Sequence, residues 1–196
     1  MRAKRTSEQT EKLVFAAAMT ALVILLQVIA TVTRVFLGLS INLSLIPIVI
    51  GAATGGIALG AWLGLVSGTA VLITGEAAPF LAISIFGALF LVLSKGVLSG
   101  VASAVIYKIF KKTREKLALY MAAITCPIVN TGVYLVVCTA IFKQVIEDMG
   151  RAENVNAADV YPWFIGVVLF LFAIEFISTI VLTPYVLKLL EIKKKK

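Results

Sequence analysis

An all-α integral membrane protein of six transmembrane helices, with both termini cytoplasmic, is the fold class this sequence predicts, and three observations predict it. First, the 196 residues are 61% hydrophobic, with a mean hydropathy of +1.05, against about 45–50% apolar residues in soluble domains. Second, 14 of the 18 Lys+Arg fall in three clusters. These are Arg2, Lys4, Arg5 and Lys12; then Lys108, Lys111, Lys112, Arg114 and Lys116; then Lys188 and Lys193 to Lys196. Basic residues beside hydrophobic spans stay on the cytoplasmic side, so an even number of crossings must separate each cluster from the next. Third, the remaining charged loop, 143–159, sets Lys143 and Arg151 against Glu147, Asp148, Glu153 and Asp159, a net of −2 that suits the external side.

The chain divides into a basic N-terminus over 1–12, a transmembrane domain over 13–190 and a basic tail over 191–196. Leu13 to Thr33 is uncharged, long enough to span a bilayer and longer than a signal-peptide core, so it is a retained first helix. Arg34 ends it, and 34–43, with Gly38 and Ser40, is an external loop. Between Ser44 and Tyr107 parity demands one or three crossings. Three fit, at about 44–55, 57–73 and 80–107, separated by Thr54-Gly55-Gly56 and by Thr74-Gly75-Glu76-Ala77-Ala78-Pro79. The first of these is too short to span alone. Helix 5 covers about 117–142. Helix 6 covers about 161–188, opened by Tyr161-Pro162-Trp163 with proline in its first turn and aromatics at the interface.

Composition also excludes functions. The net charge of +8 sits at helix ends, where it orients the chain and meets anionic lipid, and it is no nucleic-acid footprint. Without histidine there is no ordinary triad and no usual metal ligand. Cys126 and Cys138 have neither disulfide nor zinc spacing. No phosphate-binding loop is present, so an ATP-driven role needs a separate ATPase. No cofactor is expected.

Two sets of residues invite function. Gly56, Gly60, Gly64 and Gly68 recur every fourth residue, as do Ala17 and Ala21, and Gly96 and Gly100. Small residues at this spacing let another backbone approach, either inside the monomer or from a partner subunit. The second set is polar. Lys95, Asn130 and Glu175 lie roughly 22, 18 and 21 Å from the external ends of their helices at 1.5 Å per residue. Charges at that depth are costly, so Lys95 and Glu175 should face inward and pair, as a structural ion pair or as the floor of a ligand cavity. Arg34, Asn42, Glu76, Asn154, Asn156, Asp159 and Trp163 form an external polar rim.

The chain resembles the substrate-binding S components of energy-coupling factor (ECF) transporters, the prokaryotic vitamin importers. The resemblance rests on Ala17-x-x-x-Ala21, on Asn42-Leu-Ser-Leu-Ile-Pro-Ile-Val-Ile-Gly51 and on the glycine-rich run from Gly55 to Gly68. It rests also on Gly75-Glu-Ala-Ala-Pro-Phe80, Lys95-Gly96 and Cys126-Pro-Ile-Val-Asn-Thr131, so that most of 13–142 is covered. Where many relatives have Gly-Pro, this chain has Thr54-Gly55-Gly56. The resemblance implies a binding protein rather than an enzyme, located in the plasma membrane. It implies a site open to the outside, and docking through helix 1 on a transmembrane coupling subunit driven by two ATPases. On this chain the substrate-binding residues would be Arg34, Asn42, Glu76, Lys95, Asn130, Tyr134, Trp163 and Glu175. The docking residues would be Ala17, Ala21, Gly60 and Gly64. Lys95 or Arg34 suits an anionic vitamin such as pantothenate or a folate, while Tyr134, Trp163 and the phenylalanines suit a flavin. A stand-alone secondary transporter or channel is the alternative, although the two halves show no repeat. An intramembrane enzyme using Glu175 and Lys95 is a third.

Overall fold

The computed structural model describes the backbone of residues 2–37 and 42–194 and the side chains of 9–37, 42–186 and 188. Gly38 and Ser40, the side chains of Arg2, Lys4 and Arg5, and those of Lys193 to Lys196 lie outside the described residues. Among the described residues all regular structure is helical. The helices are α1 Arg2–Leu37, α2 Leu45–Ile73, α3 Ala78–Ile83, α4 Ile85–Lys111, α5 Glu115–Ile141, α6 Lys143–Ala152 and α7 Val160–Lys194. Five of these, α1, α2, α4, α5 and α7, are long and apolar enough to cross a membrane.

Helix α2 is not one rod. Gly56 has φ 74° and ψ −161°, a conformation that only glycine adopts without strain. The chain turns back there. Ser44 Oγ lies 3.0 Å from Ser67 Oγ, 23 residues away, although straight helix would separate them by roughly 34 Å. The arms 45–55 and 57–73 therefore pack as a hairpin, closed at Gly55-Gly56. Buried Leu45, Ile48, Val49 and Ile50 on the first arm join Val23 of α1, Leu63 of the second arm and Ala122 and Cys126 of α5 in one apolar core.

Two further features differ from the sequence reading. The expected helix over 80–107 breaks into α3 and α4 at Ser84, which is extended (φ −152°, ψ 113°) and accepts the Gly87 N–H at 3.1 Å through its side chain. A serine in that conformation caps a new helix better than it continues an old one. The expected loop 143–160 contains α6. Its Val145, Ile146 and Gly150 are buried, and Arg151 pairs with Glu147 at 3.5 Å and Asp148 at 3.4 Å on its open side. The charges hid the helical period of its few apolar residues.

The glycine stripe is used within the chain. A Cβ on Gly60 would meet the Gly100 carbonyl oxygen at 2.6 Å, and one on Gly68 would meet that of Val92 at 2.6 Å. Gly64 and Gly96 face each other in the same way, backbone to backbone. The second arm of α2 and α4 thus touch through their main chains, as small residues permit in lipid. The face of Gly60 and Gly64, expected to dock on a coupling subunit, is here covered by α4. Ala17 and Ala21 are different. Both are exposed on α1, beside exposed Leu13, Val14, Ile24, Leu25 and Val28.

Candidate functional site

The residues expected to bind substrate come from four helices and the two segments that flank α2, and the fold brings all eight to one cavity. Arg34 of α1, Asn42 before α2, Glu76 after it, Lys95 of α4, Asn130 and Tyr134 of α5, and Trp163 and Glu175 of α7 line a space of about 280 Å³. It lies in the half of the bundle away from the basic 108–116 loop. Its volume is at the lower edge of the roughly 300–1,000 Å³ usual for ligand pockets.

One wall begins on α1. Gln27, Thr31 and Arg34 recur at spacings of four and three, which places them on one helical face. Gln27 Nε2 donates to Glu76 Oε2 at 3.1 Å, Thr31 Oγ1 donates to Glu76 Oε1 at 3.1 Å, and Arg34 Nη1 reaches the Glu76 carbonyl oxygen at 3.4 Å. Gly75, at φ 79°, turns the chain so that this carboxylate points back at α1. Gln27 is 1% exposed, and its Oε1 has no hydrogen-bond partner.

The floor is built from α2, α5 and α7. Glu175 Oε1 accepts the Asn42 backbone N–H at 3.1 Å. Asn42 Oδ1 in turn accepts from the Ser44 N–H at 3.2 Å and from the Ser44 hydroxyl. Asn42 was expected at the external rim, but its contact with Glu175 places it well inside the bundle. The first arm of α2 starts at that depth, which is why it can be short. Asn130 is 6% exposed, and among the described residues no protein group hydrogen-bonds its side chain.

Lys95 and Glu175 share the cavity, but they do not pair as expected; the described ion pairs lie on α6. The Glu175 carboxylate is held by the Asn42 amide, and Lys95 Nζ sits 5.4 Å from the centre of the Tyr134 ring, within cation–π reach. A positive and a negative group thus face one cavity separately. The remaining wall is aromatic. Phe80 meets Tyr134 edge-on at 6.1 Å and Phe142 at 5.0 Å, and Tyr134 lies 6.2 Å from Phe164.

Gln27 and Thr31 were missed because an uncharged polar residue in an apolar helix carries little signal alone; their spacing from Arg34 was the available clue. Phe80, Phe164 and Phe172 also line the cavity, and sequence alone could not distinguish them from lipid-facing phenylalanines. Asn154, Asn156 and Asp159 are exposed and stand outside the lining.

No curated protein and no solved structure gives a significant match to this chain. The ECF transporter substrate-specific component family matches residues 11–187, a span that includes every cavity residue and both exposed alanines. Proteins of this family are transport subunits and not enzymes, and they work with ECF coupling and ATPase modules. With that match over nearly its whole length, the chain belongs to the family of substrate-specific components of ECF transporters.

Proposed function

We propose that this protein captures a vitamin-like small molecule from outside a prokaryotic cell, in the cavity between α1, α2, α4, α5 and α7, and delivers it by docking on the coupling subunit and two ATPases. The observation that carries the reading is the convergence of eight polar and aromatic residues, from four helices and the two segments flanking α2, on one cavity of an apolar bundle. A purely structural polar cluster would satisfy its own groups. Here, among the described residues, nothing hydrogen-bonds the side chains of Asn130 and Lys95 where they face the cavity, leaving donors for a ligand.

The topology that supports this reading is six crossings, with the α2 hairpin counted as two and both termini on the cytoplasmic side. Gly56 at the hairpin tip lies with Lys108 and Lys111, so the tip shares the basic end, and the cavity belongs to the opposite, external half. Docking falls to the exposed Ala17 and Ala21 face of α1, where small side chains permit close helix approach.

The test is ligand retention and assembly measured on the same variants. Lys95→Ala and Asn130→Ala should lose the small molecule that co-purifies with the wild type, detected by native mass spectrometry, and still assemble with the coupling module. Ala17→Trp and Ala21→Trp should keep the ligand and lose assembly. Cavity variants that retain the ligand undiminished would overturn the site, and tryptophan variants that assemble and transport normally would overturn the docking face. Uptake that persists without any coupling module would favour a stand-alone transporter.

A further inference from the structure

The charged groups of the cavity are not equally free, and the difference says what class of solute it takes. Glu76 is committed to the protein, since Gln27 Nε2 and Thr31 Oγ1 each donate to one of its oxygens at 3.1 Å. Glu175 gives Oε1 to the Asn42 N–H at 3.1 Å and keeps its other oxygen for a donor. Arg34 is exposed at the end of α1 and donates to the Glu76 carbonyl oxygen at 3.4 Å, which leaves most of the guanidinium's donors unused. Lys95 is freer still. It lies ten residues into α4 from Ile85, roughly 15 Å along the helix. Among the described residues no carboxylate stands at ion-pair distance from it, and its Nζ has the face of the Tyr134 ring at 5.4 Å. An ammonium has three donors and no acceptor, and an unmatched one at membrane depth is costly. Lys95 calls for an anionic acceptor that the protein does not supply.

Charge and volume narrow the class of anion. Glu76 and Glu175 line the same cavity as Lys95, so a second negative charge on the solute would face two carboxylates. That disfavours phosphate esters and dicarboxylates. An uncharged solute would leave Lys95 without water and without a counter-charge. The space of about 280 Å³ is that of about nine water molecules at ~30 Å³ each. It suits a short chain or a small ring and is tight for a fused three-ring system. The open oxygen of Glu175 accepts a donor, and the Asn130 amide offers both donors and an acceptor. Both suit a hydroxyl or N–H elsewhere on the solute.

We propose, resting on the reading of this cavity as the substrate site, that the substrate is a small monocarboxylate bearing a hydroxyl or N–H, with its carboxylate on Lys95 and its donor at Glu175 and Asn130. Arg34, at the mouth, draws the anion in.

The test is calorimetric titration of the purified full chain with matched probes. Pantothenate and panthenol differ only in a carboxylate against an alcohol, as do biotin and biotinol; folate supplies a dianion and riboflavin a neutral fused ring. At least one of the two monocarboxylates should bind at least about tenfold more tightly than its alcohol, the effect of a charge-assisted hydrogen bond. Lys95→Gln should abolish that preference, and Lys95→Arg should retain it. Tightest binding by an alcohol, by folate or by riboflavin overturns the monocarboxylate assignment and leaves the cavity as the substrate site. So does a carboxylate preference that survives Lys95→Gln, or a failure of both monocarboxylates to bind a chain that still holds its co-purified solute. A probe whose binding is unchanged in Lys95→Gln, Asn130→Ala and Glu175→Gln alike sits elsewhere, and that result overturns the substrate cavity itself.

Discussion

Gly60→Ala tests whether the glycine stripe packs the chain's own helices or receives a partner. The added methyl would lie 2.6 Å from the Gly100 carbonyl oxygen and 3.1 Å from Ala52 Cβ, where ordinary contact begins at 3.4 Å. The clash on one side is with backbone, so no side chain can swing aside, and α2 and α4 must part by about 0.8 Å. A radial gap of that size forfeits a quarter to a half of the dispersion well for each atom pair it separates. Overpacking of this kind costs about 1–3 kcal/mol, offset by at most about 1 kcal/mol from the better helix propensity of alanine. The expected net loss is about 1 kcal/mol, or roughly fivefold in the folded population. Gly132→Ala is the control, because nothing lies within 4 Å of its new Cβ. Unfolding of the purified protein by increasing SDS fraction reads both. If Gly60→Ala is as stable as Gly132→Ala yet fails to assemble with the coupling subunit, the stripe is a docking surface and the packing account is wrong.

Gly56→Ala should cost about 1–3 kcal/mol in the same titration although its Cβ meets nothing, because φ 74° with ψ −161° is strained for any L side chain; an unchanged midpoint would mean that the turn relaxes freely. Gln27→Ala removes a donor from Glu76 at a site 1% exposed, and should cost about 1.5–3 kcal/mol; a loss below about 0.5 kcal/mol would show that Thr31 and the other partners of Glu76 suffice. For Lys95 and Glu175, which face one cavity without an ion pair, a double-mutant cycle with alanine should give a coupling energy of about 0.5–1 kcal/mol, the low end for groups that share a cavity. A coupling of about 3 kcal/mol would restore the buried ion pair expected from depth alone.

Helix placement was legible where a long physical signal existed. Uninterrupted apolar runs located α1, α5 and α7, and even the α2 hairpin was foreseen, because Thr54-Gly55-Gly56 interrupts a run that parity required to cross three times. Short elements were not legible. Ser84 caps α4 through its own conformation, and α6 buries only Val145, Ile146 and Gly150, too few residues to set a period against its four charged ones. The cavity lining emerged because polar side chains are rare in an apolar chain, so depth from the helix ends grouped Lys95, Asn130 and Glu175 correctly. Depth says nothing about azimuth, however. It could not reveal that the Asn42 amide would hold Glu175, or that Lys95 would turn to Tyr134 instead. The glycine stripe stayed ambiguous between internal packing and docking for a related reason: spacing of four identifies a face, and only the fold says which helix lies against it.

Lys95 and Asn130 give the cavity a basis for selecting a solute. Both line it, among the described residues neither hydrogen-bonds the protein through its side chain, and Lys95 has only the face of an aromatic ring. A solute that enters without groups to meet them leaves polar atoms stripped of water and unpaired, at about 1–3 kcal/mol each. A solute that hydrogen-bonds both avoids that cost, and differences of this origin discriminate more strongly than a methylene does in an apolar pocket. The other two charged groups are arranged differently. Glu76 is clamped by Gln27 and Thr31, and Glu175 by the Asn42 backbone, so the carboxylates hold α1 and the start of α2 against the cavity while Lys95 and Asn130 stay open. The two clamps reach different parts of the chain: one fastens the helix whose far end exposes Ala17 and Ala21, and the other fastens the hairpin whose tip reaches the basic end. A solute that competes for either carboxylate must therefore disturb an element that also extends to the opposite end of the bundle.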